Sequence, residues 1–287
     1  MKTSRQAHYA IFLTIYRRDR KGGAQVLLIT SRENAHIKEY CKLRSSKKQR
    51  DMQNSFVLEG LKLTLEAYDN EVSIEKVFLT ERVLKKYQEK LFELLNSGIT
   101  VLQITDEVAK KMSDTESTQG IFAQCSKLDK FLSPDTIEDN GIYLALSDLQ
   151  DPGNIGTIIR TAEAIGIKGL LLSENCCDIY NPKVVRASMG SVFRVPFLIS
   201  DDFCRDLRKF SDKGIVSYAT VLDSEARSIT QIGFGGRGIA VIGNEGNGLS
   251  PEVVSCCDEK ITIKMRGNTE SLNAAMAAGI IMWQMQL

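Results

Sequence analysis

The alternation of short apolar runs with helical patterns between residues 142 and 285 most constrains the fold. Apolar runs typical of strands occupy 142–146, 169–172, 215–219, 238–242 and 260–263. Helical periodicity occupies 154–165, 202–213 and 271–285. Repeated strand–helix units favour a parallel sheet covered by helices on both faces. The second half of the chain is therefore predicted to be an α/β domain.

A smaller α/β pattern precedes it. Strands are predicted at 56–58, 74–80, 100–104 and 121–125, with helices at 33–50, 59–70 and 81–98 and a short one after Thr105. Residues 127–140 are polar and weakly periodic, which is typical of a linker. The predicted organisation is a domain at 30–126, a linker at 127–140 and a second domain at 141–287.

Residues 1–29 belong to neither pattern. The apolar stretches at 11–17 and 25–31 flank a turn-like segment and are typical of an extra hairpin. Alternatively the native chain begins near Val26, since Lys21-Gly22-Gly23 is the peptide that a purine-rich ribosome-binding sequence would encode. No small-residue cleavage site follows the apolar stretch at 9–16, so no signal peptide is expected.

The cysteine and histidine content excludes several kinds of site. The seven cysteines include no C-x-x-C pair, and the only two histidines are His8 and His36. A structural zinc site, a disulfide framework and a histidine general base are therefore not expected, and no metal is predicted. The cysteines are predicted to be reduced, mostly buried thiols of a cytoplasmic protein.

Positive charge is concentrated in one short stretch. The net charge is only +1, but the segment 38–50 carries six basic residues against the single acidic Glu39. Such a run forms either a solvated helix face or a patch that contacts phosphates. The candidate RNA-binding residues are Lys38, Lys42, Arg44, Lys47, Lys48 and Arg50.

Three polar, glycine-rich or small-residue segments follow predicted strands. The first holds Asn154, Gly156 and Arg160, with Asn154 as the expected helix cap. The second runs from Gly243 to Gly248 around Glu245, and the third opens a helix rich in small residues at 271–273. The carboxyl ends of parallel strands are where open α/β sheets bind ligands.

A nucleotide-binding alternative rests on the glycines at 233–238. Gly233, Gly235 and Gly238 match G-x-G-x-x-G, but they precede a strand instead of following one and opening a helix. The dinucleotide fingerprint requires the opposite context. A nicotinamide-dependent oxidoreductase is therefore disfavoured.

In order and content the three segments resemble the motifs of the SpoU/TrmH-type RNA ribose 2′-O-methyltransferases of the SPOUT superfamily. The segment 186–197 is similar to the region between the first two motifs, and the stretch from TSRENAHIK (30–38) to LEGLKL (58–63) resembles the ribosomal-protein-like RNA-binding domain that precedes many members. The whole resemblance covers about residues 29–287. One departure is Lys264, where the family usually has proline, close to the adenine pocket.

The resemblance implies a C-terminal α/β domain with a parallel sheet and a deep trefoil knot, joined to the small N-terminal α/β domain. It implies S-adenosylmethionine as cofactor and a homodimer formed through the knotted domain. The implied catalytic residues are Asn154, Arg160, Glu245, Ser271 and Asn273. The implied cofactor-binding residues are Thr220, Val221, Leu222, Ile242, Gly243, Asn244, Gly248, Ile263, Met265, Ser271, Leu272 and Asn273.

The expected reaction is methyl transfer to a ribose 2′-OH. With an N-terminal domain of this kind, large-subunit ribosomal RNA is the favoured substrate, by analogy alone. Two alternatives stay open at this level: the same chemistry on transfer RNA, and a non-catalytic RNA-binding protein with the same fold. The five polar residues of the implied site argue against the second, because binding alone has no evident need for all of them.

Overall fold

The structure is a computed structural model that describes residues 27–128, 132 and 136–287. It holds two sheets. The hairpin and the later start predicted for the N-terminal segment fall mostly on residues 1–26, which lie outside the described residues. Residues 27–29, which the sequence assigned to that segment, form the edge strand of the first sheet.

The first sheet has the strand order β1-β4-β3-β5-β2. Strand β1 pairs parallel with β4 and β4 with β3, whereas β5 runs antiparallel to both β3 and β2. The strands are β1 (Leu27–Ile29), β2 (Ser55–Glu59), β3 (Ile74–Thr80), β4 (Thr100–Ile104) and β5 (Ile121–Ser126). The helices are α1 (Ala35–Ser45), α2 (Lys47–Gln53), α3 (Leu61–Asp69), α4 (Glu81–Asn96) and α5 (Asp106–Met112).

The second sheet is parallel throughout, in the order β10-β12-β9-β11-β6-β7-β8. Its strands are β6 (Ile142–Leu146), β7 (Gly169–Ser173), β8 (Phe197–Ser200), β9 (Ser217–Thr220), β10 (Arg227–Ser228), β11 (Gly238–Ile242) and β12 (Glu259–Thr262). The helices are α6 (Pro152–Ile165), α7 (Pro182–Ala187), α8 (Phe203–Asp212), α9 (Pro251–Ser255) and α10 (Ala274–Met285). The predicted parallel α/β domain is confirmed.

Local capping explains where the predicted helices were wrong. The single helix predicted at 33–50 is two helices, because Ser46 has an extended backbone and its hydroxyl caps α2 by accepting from Gln49 N. Asn154 is not the cap of α6. Asp151 is, since its carboxylate accepts from Asn154 N at 2.9 Å and Pro152 occupies the first helical turn.

One continuous hydrophobic core extends through both domains. The largest apolar cluster contains Phe56 and Leu58 of β2 together with Ile155 and Ile158 of α6. The Phe56 ring packs on Tyr180 at 5.1 Å between centroids. Because the same buried cluster draws on both halves of the chain, the two domains form one packed unit.

Two of the predicted RNA-binding arginines are structural instead. Arg50 is buried and forms an ion pair with Asp178 of the other domain, with Nη2 and Nε each 2.7 Å from Oδ2. Arg44 donates to the carbonyls of Met112 and Ser113 at the end of α5. Lys38 is exposed and pairs with Glu33. The exposed members without a partner among the described residues are Lys42, Lys47 and Lys48.

The prediction that every cysteine is a free thiol is wrong for one pair. Cys204 of α8 and Cys256, directly after α9, form a disulfide with their Cα atoms 5.8 Å apart. They are 52 residues apart in sequence, so only the packing of α8 beside α9 brings them together. Cys41, Cys125, Cys176, Cys177 and Cys257 are free.

No helix within the described residues is long and apolar enough to cross a membrane. The same part of the chain contains no cluster of histidine, cysteine and acidic side chains suited to a metal ion.

We expect Arg50→Met to destabilise the protein by about 3 kcal/mol, because it leaves the Asp178 carboxylate buried without its partner. Their side chains are only 4% and 7% exposed. Denaturant unfolding measures the loss. The matched control is Lys38→Met, which breaks an exposed pair and should cost at most about 1 kcal/mol. Equal losses in the two variants would contradict the structural role of Arg50.

Candidate active site

The turn between β6 and α6 is held in an unusual backbone conformation. Asp148 has a φ of +58°, a region that residues other than glycine seldom adopt. The hydroxyl of Ser173, at the end of the neighbouring strand β7, accepts from Asp148 N at 2.9 Å and donates to Asp148 Oδ1 at 2.7 Å. The two hydrogen bonds between Asp148 and Ser173 therefore hold the backbone that leads to Gln150 and Asp151.

The loop after β11 is closed on itself. Asn244 and Gly248 exchange two backbone hydrogen bonds of 3.0 and 2.9 Å, and Asn244 Oδ1 accepts from the amides of Gly246 and Asn247. A Cβ at Gly243 would lie 2.3 Å from the carbonyl carbon of Gly248. Only glycine at position 243 allows this closure, which directs Glu245 out of the loop and toward the turn before α6.

Glu245 ties the two loops together. Its Oε2 accepts from Gln150 N, and its Oε1 accepts from Asp151 N, both at 3.1 Å. Oε1 also accepts from Asn154 Nδ2 at 3.0 Å. Partial burial acts to raise the pKa of Glu245, but these hydrogen bonds from Asn154 and the backbone outweigh it and lower the pKa. The carboxylate is therefore ionised at neutral pH and occupied as an acceptor.

Asn273 joins the same network from the third segment. Its Nδ2 donates to Asn154 Oδ1 at 2.9 Å, while its Oδ1 caps α10 by accepting from the amides of Ala275 and Met276. Because Asn154 donates to Glu245 and accepts from Asn273, the orientation of its amide is fixed. Three residues separated by up to 119 positions thus form one chain of hydrogen bonds.

Arg160 and Ser271 are not part of this chain. Both side chains are exposed, and neither has a hydrogen bond or ion pair within the described residues. Gly156, the middle residue of the first motif, has a packing role. A Cβ there would lie 2.4 Å from Ala187 Cβ and 2.8 Å from the carbonyl oxygen of Val184, so glycine is needed for α7 to pack on α6.

The predicted cofactor residues lie at the carboxyl ends of neighbouring strands. Thr220 ends β9, Ile242 ends β11, and Ile263 directly follows β12. Val221 N donates to Ile261 O at 2.9 Å, which holds the chain beyond β9 against β12. Leu222 and Leu272 are 70% and 37% exposed, although both are large and apolar. Exposed leucines at this edge of the sheet fit a flat apolar ligand such as an adenine ring.

Two contributors to the network were not singled out from the sequence. Gln150 and Asp151 present the backbone amides that bind Glu245, and Asp151 caps α6. The signal for Asp151 was available, because aspartate immediately before proline is a common start of a helix. Nothing local indicated Gln150, whose contact is made by its backbone across 95 positions of sequence.

Comparison with known proteins identifies the family of this chain. Residues 141–283 match the SpoU rRNA methylase family, and residues 34–123 match the MRM3-like substrate-binding domain. An uncharacterized tRNA/rRNA methyltransferase of Synechocystis sp. is 31% identical over 91% of this chain and 94% of its own length. The chain belongs to the SpoU rRNA methylase family.

Other similar proteins are also RNA methyltransferases. RlmP of Bacillus subtilis, a 23S rRNA (guanosine(2553)-2′-O)-methyltransferase, is 29% identical over 90% of this chain and 98% of its own length. The structure of an AdoMet-bound rRNA methyltransferase from Sinorhizobium meliloti superposes with a TM-score of 0.79 at 29% identity, covering 91% of this chain and 97% of that one. The fold and family predicted from the three motifs are confirmed, and the oxidoreductase alternative is excluded.

We expect Glu245→Gln to lower the free energy of unfolding of this protein, and the size of the loss to depend on pH. The pKa of Glu245 is lowered by folding, so its stabilisation is fully present above the pKa of an unfolded glutamate, about 4.3, and is lost as the pH falls through the folded value. The variant should be less stable than the parent protein at pH 7, by at most about 1 kcal/mol because the carboxylate is exposed and screened by solvent, and the difference should shrink as the pH falls below about 4.3.

Thermal unfolding of both proteins between pH 3 and pH 7 measures this difference. Glu270→Gln is the matched control, because Glu270 is exposed and has no hydrogen bond among the described residues. A stability difference for Glu245→Gln that stays constant with pH would contradict the role of its charge.

Proposed function

We propose that this protein transfers a methyl group from S-adenosylmethionine to a ribose 2′-OH of large-subunit ribosomal RNA. The observation that carries the proposal is the chain of hydrogen bonds from Glu245 through Asn154 to Asn273. It unites the three motif segments at the carboxyl edge of the parallel sheet, where α/β proteins bind their ligands.

The cofactor's place is the edge formed by the segments after β9, β11 and β12. Backbone groups of residues 220–222 and 242–248 would hold its polar parts, and Ile263, Met265 and Leu272 would surround its adenine. S-adenosylmethionine supplies an electrophilic methyl group, which its sulfonium sulfur releases as the ribose oxygen bonds to it. Lys264, which replaces the family's usual proline, lies exposed within the adenine-binding segment.

The protein's own contribution is orientation and charge. Glu245 and Asn273 fix the amide of Asn154 beside the start of α6, so the reacting groups meet a rigid polar surface. Glu245 is not proposed as the general base, because its oxygens already accept three hydrogen bonds. Ser271 is exposed, its hydroxyl has no hydrogen-bond partner within the described residues, and it is proposed to contact the reacting nucleotide.

Arg160 is proposed to bind the phosphate next to the target ribose and to stabilise the negative charge that develops on the 2′ oxygen as its proton passes to solvent water. A guanidinium does not readily give up a proton, so electrostatic stabilisation suits it better than base catalysis. It is exposed and unpaired within the described residues, as a group that meets RNA must be.

Two observations favour ribosomal over transfer RNA. RlmP, which is named as a 23S rRNA methyltransferase, aligns over 90% of this chain, including the N-terminal domain. That domain matches the MRM3-like substrate-binding model and exposes Lys42, Lys47 and Lys48 for phosphate contacts. A cytoplasmic location is proposed on the same grounds, since RNA substrates and the cofactor are available there.

The deciding experiment supplies the purified protein with labelled-methyl S-adenosylmethionine and separated ribosomal and transfer RNAs, followed by alkaline digestion. Label in alkali-resistant dinucleotides of large-subunit RNA is the expected result, because a 2′-O-methyl group blocks cleavage of the adjacent phosphodiester. Label in single nucleotides would mean base methylation, and label confined to transfer RNA would overturn the substrate. Binding of RNA without methylation would support the non-catalytic alternative.

Arg160→Lys tests the proposed role of the arginine. Lysine keeps the positive charge but loses the planar fork that binds phosphate in two places, so we expect kcat to fall about 100-fold while the affinity for S-adenosylmethionine is unchanged. Single-turnover kinetics and calorimetry measure the two quantities. The exposed Arg32→Lys is the control. Near-normal turnover with an unchanged pH profile would show that the fork is not needed.

A homodimer through α10 is the remaining part of the proposal. One face of this helix is buried against its own domain, whereas Met276, Ile280, Trp283 and Leu287 form an exposed apolar stripe at helical spacing, with Trp283 62% exposed. A stripe of this size on a surface helix is typical of a protein interface.

Trp283→Glu is expected to dissociate the dimer, raising its Kd by about 100-fold or more, because it places a charge in the centre of the stripe. Light scattering coupled to size-exclusion chromatography measures the mass. Met52→Glu, which changes an equally exposed apolar residue of α2, should leave the dimer intact. A parent protein that is monomeric at micromolar concentration would overturn this part of the proposal.

A further inference from the structure

A cleft of about 310 Å³ opens where the two domains meet. We name it the junction cleft. Its walls come from the loop before α3, the segment between α5 and β5, and the residues around the end of α7. Its lining residues include Gly60, Lys62, Thr115, Ser117, Arg186 and Met189. The proposed catalytic network does not include any of them.

The cleft combines cations, hydroxyls and one exposed apolar side chain. Lys62 is exposed and has no hydrogen bond or ion pair among the described residues. Arg186 is partly exposed and forms an ion pair with Asp114, whose Oδ2 lies 3.6 Å from the buried Nη2 atom. Glu59 also lines the cleft, but its carboxylate accepts from Ser113 Oγ, Asp114 N and Thr115 Oγ1, so its charge is used to hold the wall.

Met189 is held in a conformation that favours glycine. Its φ is +55°, and its side chain is 39% exposed at the cleft. A non-glycine residue in this region costs free energy and is concentrated at functional sites. The thioether is a flexible, polarisable surface that packs well against a flat ring. Met189 therefore gives the cleft an apolar face suited to a base.

The helix that carries Arg160 packs against the segment that carries Met189. At Gly156, helix α6 packs closely against Ala187 and the amide of Ser188. Further along the same helix, Glu163 accepts a hydrogen bond from the hydroxyl of Ser191 at 3.2 Å. Positions 156, 160 and 163 share a face of the helix. Arg160 therefore projects from the side of α6 that packs against the segment carrying Met189.

We propose that the junction cleft binds an unpaired nucleotide of the RNA substrate that neighbours the methylated one. Met189 packs on the base, and Lys62 and Arg186 bind its phosphates. Sequence-specific recognition of RNA targets unstacked bases in loops, and a cleft of this volume accepts a molecule of nucleotide size. This inference rests on the proposed function, because it takes RNA to be the substrate and Arg160 to meet the adjacent phosphate.

The test uses Met189→Gly and Lys62→Gln in the full-length protein. Glycine keeps the left-handed backbone at position 189 without strain, so the fold should be retained while the side chain is lost. We expect each variant to bind unmodified large-subunit rRNA about fivefold more weakly. Lys62→Gln should also lower the salt dependence of binding by about 0.7, the share of one phosphate contact on a single strand, whereas Met189→Gly should not.

Filter binding at several salt concentrations measures affinity and slope, and the methylation assay gives KM for RNA. Affinity for S-adenosylmethionine and kcat at saturating RNA should stay within about twofold of the parent protein, because the cleft holds substrate and not the reacting groups. The control is Lys90→Gln, which removes the same charge from an exposed lysine of α4 outside the cleft.

The two hypotheses fail in different ways. If the parent protein methylates no RNA, the proposed function is wrong, and the binding data still decide whether the cleft contacts RNA. If the parent methylates rRNA but Met189→Gly and Lys62→Gln behave like Lys90→Gln, the cleft is not a nucleotide subsite. A fall in affinity for S-adenosylmethionine in either variant would show a general disturbance of the domain and would also overturn the inference.

Discussion

The candidate site depends on the carboxylate of Glu245. It crosses from the loop after β11 to the turn before α6 and accepts hydrogen bonds from two backbone amides and from Asn154. Without it, those two amides would lose their acceptor and the Asn154 side chain would be held only by Asn273. Glu245, together with the hydrogen bond from Asn244 Nδ2 to the carbonyl of Asp148, joins the loop after β11 to the turn before α6, and its lowered pKa reflects that it is held as the charged form.

Close packing makes this arrangement possible. Gly243 lets the loop after β11 fold back on Gly248, and Gly156 lets α7 press against α6. In both places the backbone of one segment occupies the space of a side chain. The glycines of the family's motifs therefore determine distances between segments, whereas the polar residues of the same motifs determine the chemistry.

The N-terminal domain is fixed to the methylase domain and not loosely attached to it. The buried Arg50–Asp178 pair and the shared core through Phe56 and Tyr180 hold the two in one orientation. A rigid junction lets the exposed lysines of the first domain and the edge of the second sheet act on one RNA with a fixed spacing. The junction cleft between them exists only because of that packing.

The sequence by itself determined the parallel α/β architecture, the order of the three motifs and the boundaries of several strands, four of which agree residue for residue with the structure at 74–80, 100–104, 142–146 and 238–242. These features could be predicted because they depend on local hydrophobic periodicity and on the glycine, asparagine and serine residues of the motifs. The resemblance of the three motifs to the family pointed to five candidate catalytic residues, of which the structure links Asn154, Glu245 and Asn273 in one network and leaves Arg160 and Ser271 outside it.

Tertiary structure decided what depends on distant partners. Whether Arg50 meets RNA or Asp178, and whether Cys204 is a thiol or pairs with Cys256, depends on residues 128 and 52 positions away. Local patterns specify a side chain's chemistry and its helix or strand. They do not specify its neighbours, because burial and pairing arise only when separate segments pack together.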